Sequence, residues 1–510
     1  MSTAIDGTGG AATNPDKGFF GHPRGLSTLF FTEMWERFSY YGMRAILLLY
    51  MTKMASEGGL GFNEKYAGLI YATYVSSVWY LPLIGGWMAD KFFGARRAVL
   101  IGGIIIACGH YSMAINTIPN FYAGLILIAC GTGLLKPNIS AMVGQLYGEG
   151  DQRRDAGFSI FYMGINLGAF LSPIVVGFLA QAAWFRERIA AIGLNPESAW
   201  HFGFGAAGVG MTLGLVQYVL GKDRISMVGA KPEKPTIAVE GVQNNADSMT
   251  IVLAVVGGIV GAALGFYFGD AAISALFPCV VGFFAGYLIG TTRLLAGDEF
   301  KRVLVIFILF VFSIVFWMTY EQAGSSLTLF ADRFTQKAIL GWEYPSSWFQ
   351  SVPAIFVIIF APVMAALWLK MGVRQPTSPG KFTVGLFFAG MAFVVITIAS
   401  TLTGGARVSP MWLVVVYFLQ TIGELCLSPV GLSTVTKLSP ARMVGLMLGV
   451  WFLSISIGSY IAGLTTRLFA GNDTAVLTKA FGAFALITLL AAVVLALLRP
   501  IINRMSPKAA

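Results

Sequence analysis

Fourteen stretches of roughly 20 or more apolar residues follow one another along the chain. They lie at 27–53, 64–90, 97–116, 119–146, 155–184, 200–220, 249–268, 271–296, 301–331, 347–370, 381–402, 410–437, 442–469 and 476–499. A helix of about 20 residues crosses the roughly 30 Å hydrocarbon layer of a bilayer. Only helices and closed barrels span lipid, because every backbone N–H and C=O must be satisfied internally there. Barrel strands are short and alternate in polarity, so runs of this length specify an all-α, polytopic membrane protein. Composition agrees: 56% of residues are hydrophobic and only 11% charged, against about 25% charged in an ordinary soluble domain. A soluble enzyme, a disordered chain and a disulfide scaffold are excluded on the same ground.

Six runs precede the longest polar stretch, GKDRISMVGAKPEKPTIAVEGVQNNADS, whose Pro, Gly, Asn and mixed charge read as a linker. Two runs, parted only by a short break near Asp270, follow it, and then six more. The expected organisation is a tail at 1–26, a six-helix bundle at 27–220 and the linker at 221–248. An inserted helix pair at 249–296, a second six-helix bundle at 297–500 and a tail at 501–510 complete it. The net charge of +10 would suggest nucleic acid in a soluble protein, but cytoplasmic loops of membrane proteins gather Lys and Arg. Lys91, Arg96, Arg97, Arg153, Arg154, Lys301, Arg302 and Lys437 fall on the side of the termini, with far fewer basic residues opposite. Both termini and the linker are therefore expected in the cytoplasm, with no nucleic-acid partner. The polar start MSTAIDGTGG predicts no cleaved signal peptide. Cys108, Cys130, Cys279 and Cys426 and the three histidines are scattered, without metal or disulfide spacing. No nucleophile–base pair accompanies them, so neither a metal, nor an organic cofactor, nor an enzyme activity is expected.

Seven ionisable residues sit inside apolar runs: Glu33, Glu36, Arg37, Arg44, Lys136, Glu321 and Glu424. Each costs about 2.5–3.5 kcal/mol at the centre of a lipid-facing helix, and all seven on the order of 20 kcal/mol. Such a group must face a protein interior or a watery cavity. At about 100° per residue, Glu33, Glu36, Arg37, Tyr40 and Arg44 fall within about 100° of one another. That stripe describes a cavity wall, with Glu33 and Arg37 one turn apart. Lys136 precedes Pro137, and Glu424 and Ser428 lie beside Pro429. Helix breaks at membrane depth are tolerated where they line a cavity. Trp317 and Glu321 are one turn apart. His110, alone in its run, reads as a packing residue.

The motifs together resemble one family. GGWMADKFFGARRAV (85–99) is similar to the loop between the second and third helices of the major facilitator superfamily, in the variant of the proton-dependent oligopeptide transporters. EMWERFSYYG (33–42) resembles that family's ExxER signature, and FSIFYMGINLGAF (158–170) its fifth-helix signature. GTGLLKPN, FWMTYEQAGSSL, GELCLSPVGLS and GVWFLSISIG resemble later segments in the right order. Fourteen helices resemble the bacterial branch, which carries a helix pair between two six-helix bundles.

The resemblance implies a monomer in the inner membrane that imports di- and tripeptides with protons by alternating access. It implies that Arg37, Arg44 and Lys136 are the cations that hold a peptide carboxylate and connect to the proton site. Glu321 would be the proton acceptor with Arg44 as partner, and Glu33 and Glu36 would couple to Lys136. Asn166 and Glu424 would receive the peptide amino terminus. Tyr40, Tyr41, Tyr162, Trp317, Ser428 and Trp451 would form pocket walls. Two departures stand out: Trp79, with Tyr80 next to it, falls where a tyrosine is common, and Pro353 stands where the family usually carries Asn. The residues themselves agree, since a peptide zwitterion needs a cation at one pole and an anion at the other. Alternatives are a same-fold carrier of another small substrate, such as nitrate or a drug-like compound, a membrane-embedded enzyme, and a passive channel.

Overall fold

A computed structural model describes residues 16–148, 151–230, 247–269, 272–293, 295–339, 341–404, 406–440, 443–469, 471 and 473–505. Most of the linker, the Asp270 break and the outer parts of both tails lie outside the described residues. The first part of the chain forms α1 (Gly25–Thr52), α2 (Glu64–Met88), α3 (Ala95–Met113), α4 (Ile118–Gln145) and α5 (Arg154–Gln181). A short α6 (Ala183–Ala191) leads to α7 (Ala199–Leu220). The inserted pair is α8 (Ser248–Phe268) and α9 (Leu276–Thr292). Then come α10 (Gly297–Tyr320), a short α11 (Ser326–Phe334), α12 (Val352–Met371), α13 (Ser378–Thr401), α14 (Met411–Leu438), α15 (Val444–Leu464) and α16 (Thr474–Met505). Among the described residues, twelve spans are long and apolar enough to cross a membrane. With the charged α1 and the 19-residue α3, about fourteen long helices lie among the described residues of this multi-pass membrane protein.

Helix starts follow local chemistry. Asn63 accepts the Tyr66 N–H at 2.8 Å before α2, Thr117 that of Asn120 at 3.3 Å before α4, and Asp247 that of Thr250 at 2.9 Å before α8. Each satisfies one of the N–H groups a helix start leaves over. In the first half α1 packs against α5 and α7, and α4 against α2 and α3. In the second, α13 packs against α14 and α16, and α10 against α15. The halves meet chiefly where α2 lies along α15 and α5 along α12. The pair α8–α9 packs on itself through Gly257, Gly261 and Gly282, where opposing backbone takes the space of a Cβ. It touches the bundle where the Phe277 ring lies 4.3 Å from that of Tyr460 and 6.1 Å from that of Tyr80.

Three features differ from the sequence expectation. The run 301–331 is not one helix: α10 ends at Tyr320, a tight turn covers Glu321–Gly324, and α11 follows. Gly324 makes room for the Tyr71 hydroxyl and Arg44, because a Cβ there would overlap the hydroxyl and sit 2.8 Å and 2.9 Å from the guanidinium nitrogens Nη2 and Nε. The α6 helix lies in what reads as a loop. A two-residue antiparallel ladder, β1 (Ala338–Ile339) with β2 (Trp342–Glu343), pairs Ala338 with Glu343.

Candidate functional site

The polar stripe of α1 turns inward. Arg37 Nε lies 2.7 Å from Glu33 Oε1 and 2.8 Å from Glu36 Oε2. Glu33, Glu36, Arg37, Arg44 and Glu321 are each at most 8% exposed, which rules out snorkelling at helix ends. One turn and more further on, Arg44 donates from Nε to the Tyr71 hydroxyl at 2.8 Å. It also forms an ion pair with Glu321 of the other half. Lys136 makes no ion pair among the described residues; its Nζ sits 3.4 Å from the centroid of the Trp79 ring. On the opposite wall, Glu424 Oε2 accepts the Tyr320 hydroxyl at 2.6 Å.

These groups surround a cavity of about 260 Å³ between the halves. Of the sequence candidates, Arg37, Tyr41, Trp79, Lys136, Tyr162 and Asn166 line it from the first half. Trp317, Glu424, Ser428 and Trp451 line it from the second. Glu33, Arg44 and Glu321 reach it as well, and Pro353 stands in its wall. Glu36 lies behind Arg37. Tyr40 is buried beside the cavity, its ring 5.9 Å from the Arg37 guanidinium. Tyr80 points to Phe277 of the inserted pair, because neighbouring helix residues point about 100° apart and Trp79 takes the inward direction. Glu33 and Glu36 sit with Arg37 rather than with Lys136. Tyr71 and Tyr320 emerge only from the structure. Tyr320 shares a helix face with Trp317, a signal present in the sequence, but nothing local marks Tyr71.

The cavity adjoins a larger space of about 1110 Å³ that shares Tyr162, Glu424 and Ser428 with it. Trp368 of α12, Lys437 of α14 and the 372–378 loop wall that space, at the end of the bundle where α1 begins and α16 ends. At the far end the halves are tied. Lys53 pairs with Asp332 at 3.0 Å and Arg333 with Glu64 at 2.7 Å. Gln181 donates to Ser346 at 3.2 Å, and Trp348 Nε1 to the Ile174 carbonyl at 3.1 Å. The cavity is thus sealed on one side and continues toward the other. No group of three or more His, Cys, Asp or Glu placed to hold a metal occurs among the described residues.

Residues 96–484 match the model of the POT family. An uncharacterized transporter of Bacillus subtilis, YclF, is 41% identical over 494 residues, 96% of each chain. A di-/tripeptide transporter of Lactococcus lactis subsp. cremoris is 36% identical over 474 residues, 89% of this chain and 91% of its own. A mutant of a peptide transporter POT, crystallised with alafosfalin, is 41% identical with a TM-score of 0.83, covering 97% of this chain and 98% of its own. With two six-helix halves, an inserted pair and this similarity along nearly its whole length, the chain belongs to the POT family and has the major facilitator fold.

Proposed function

We propose that the chain is a proton-coupled symporter that imports di- and tripeptides across the bacterial inner membrane by alternating access. One observation carries the reading: the cavity has fixed cations, Arg37 and Lys136, on one half and an anion, Glu424, on the other. A peptide zwitterion complements both poles, while its variable side chains meet aromatic walls. Planar Arg suits a carboxylate through two hydrogen bonds and Lys serves as a point charge. The alafosfalin complex and the Lactococcus di-/tripeptide transporter support a peptide substrate. The protein acts as a monomer, without an organic cofactor, and both termini face the cytoplasm by the bias of Lys and Arg. In that orientation the described conformation is open inward.

Coupling follows from charge. Glu33, Glu36, Glu321 and Glu424 against Arg37, Arg44 and Lys136 leave one negative charge, and a zwitterion adds none. A closed, dry cavity disfavours unbalanced charge, so occlusion favours the entry of one proton. Glu321 receives it, because the ion pair with Arg44 breaks when Glu321 is neutral and reforms when the proton leaves. The two ends of this switch bias the two arrangements of the halves.

Competition tests the substrate class. Labelled dialanine uptake into cells should be displaced by other di- and tripeptides and not by nitrate or single amino acids. Displacement by nitrate alone would favour the same-fold carrier of another anion, for which the Glu424 pole has no use.

A further inference from the structure

Lys136 is a half-buried cation at the cavity wall whose natural anionic partners are engaged elsewhere. Glu33 and Glu36 are taken up by Arg37 at 2.7 Å and 2.8 Å, and the ammonium lies 3.4 Å from the centre of the Trp79 ring. The second aromatic of this stack is Phe452 of α15, in the other half. Its ring is 15° from parallel with that of Trp79, with centroids 6.4 Å apart. The Trp79 Nε1 is buried without a hydrogen-bond partner, whereas a buried indole N–H ordinarily finds one. The position therefore uses the face of the indole and not its donor.

We propose that Trp79 sets the site's preference for a free carboxylate, by holding the Lys136 ammonium on its face in the empty cavity and yielding it to the substrate. The proposal rests on the peptide reading above. A ring face stabilises a cation without neutralising it. Lys136 thus stays aimed at the cavity and without an ion-pair partner among the described residues, and an arriving carboxylate displaces no internal anion. A full negative charge outcompetes a ring quadrupole for the ammonium, and an amide does not. Without the ring, the ammonium has Glu33 and Glu36 as its nearest alternative, and a substrate carboxylate then has to compete with them. Trp79 also spans from Lys136 to Phe452, so the carboxylate end of the substrate is read where the two halves meet. Trp79 is a positioning residue in this account, acting through Lys136.

The test is displacement of labelled dialanine from the purified full-length protein by unlabelled dialanine and by dialanine amide. The wild type should bind the free acid more tightly than the amide. Trp79→Leu should weaken the acid about tenfold, the order expected for loss of a desolvated cation–π contact, and leave the amide within about twofold. Trp79→Phe should recover a substantial part of the acid-over-amide ratio. Where Trp79→Leu does not fold, Trp79→Met carries the same comparison with a similar volume and no ring. An unchanged ratio in the ringless variant, equal losses for acid and amide, or a Phe variant no better than the ringless one overturns the proposal. A wild type that binds no dialanine sinks the peptide reading itself and this inference with it.

Discussion

Arg44 of α1 and Glu321, at the break after α10, form an ion pair that joins the two halves at the wall of the cavity. Tyr71 fixes the guanidinium from a third helix through a 2.8 Å hydrogen bond. Breaking a buried pair by removing one charge typically costs about 3–5 kcal/mol, enough to shift a two-state equilibrium decisively. Glu321→Gln mimics the protonated side chain permanently. It should abolish accumulation driven by a pH gradient and leave equilibrium exchange of peptide largely intact. Accumulation by the variant in response to a pH gradient moves the proton site to Glu33 or Glu36.

Gly324 leaves the space in which the Tyr71 hydroxyl and Arg44 approach this pair, the hydroxyl nearest. A methyl at Gly324 would approach the guanidinium nitrogens Nη2 and Nε to 2.8 Å and 2.9 Å. Overpacking of this kind costs about 1–3 kcal/mol. Gly324→Ala should therefore lower the melting temperature and reduce gradient-driven uptake. Uptake and melting equal to wild type would show that the Tyr71–Arg44 contact does not need this approach.

The sequence carried some of this site and not the rest, for physical reasons. The stripe Glu33, Glu36, Arg37 and Arg44 was legible because helical periodicity is local. The Arg44–Glu321 partnership came from family resemblance, since nothing local joins residues on different helices. Tyr71 escaped for the same reason. The break at Glu321–Gly324 is hidden inside an unbroken apolar run, because the Tyr71 and Arg44 side chains that crowd Gly324 come from other helices. Tyr80 stood as a candidate beside Trp79, yet α9 claims it, and only packing decides which of two adjacent side chains faces inward. The α6 helix and the β1–β2 ladder lie in stretches that lack long apolar runs.

Tyr320 holds Glu424 through its hydroxyl at 2.6 Å. Glu424 is half-buried, so removing its donor costs less than the roughly 1–3 kcal/mol of a fully buried acceptor. Tyr320→Phe should loosen Glu424 and weaken binding of peptides with a free amino terminus, leaving N-acetylated peptides nearly unchanged. Competition binding with dialanine and N-acetyl-dialanine measures it. Equal weakening of both would assign Tyr320 to the aromatic wall alone.

Outside the membrane spans, His22 Nδ1 lies 2.9 Å from the Tyr147 hydroxyl and pins the N-terminal segment to the α4–α5 connection. Burial, reinforced by the nearby Arg153 guanidinium, holds the imidazole below its ordinary pKa of 6.5. The carboxyl of Asp16, through the Arg24 N–H, and that of Asp151, through Arg153, are held below their ordinary 3.8. Neither carboxyl titrates in the range where His22 does. The folded state prefers neutral His22, so its contribution is complete above about pH 6.5 and shrinks as pH falls below it. Phe19 and His22 exchange backbone hydrogen bonds at 3.0 Å and 2.9 Å. Their amide protection, corrected for intrinsic exchange, should be lower at about pH 5.5 than at about pH 7.5. His22→Gln should flatten the difference. Equal protection at both values in the wild type would contradict the assignment.

The central claim is that movement of protons drives movement of peptide through this cavity. Uptake of labelled dialanine into proteoliposomes, with and without an inward-directed pH gradient, tests it most directly. The account predicts accumulation above the external concentration only when the gradient is present, and its collapse on adding a protonophore. Equilibration to the external concentration regardless of the gradient, or no uptake at all, would contradict it.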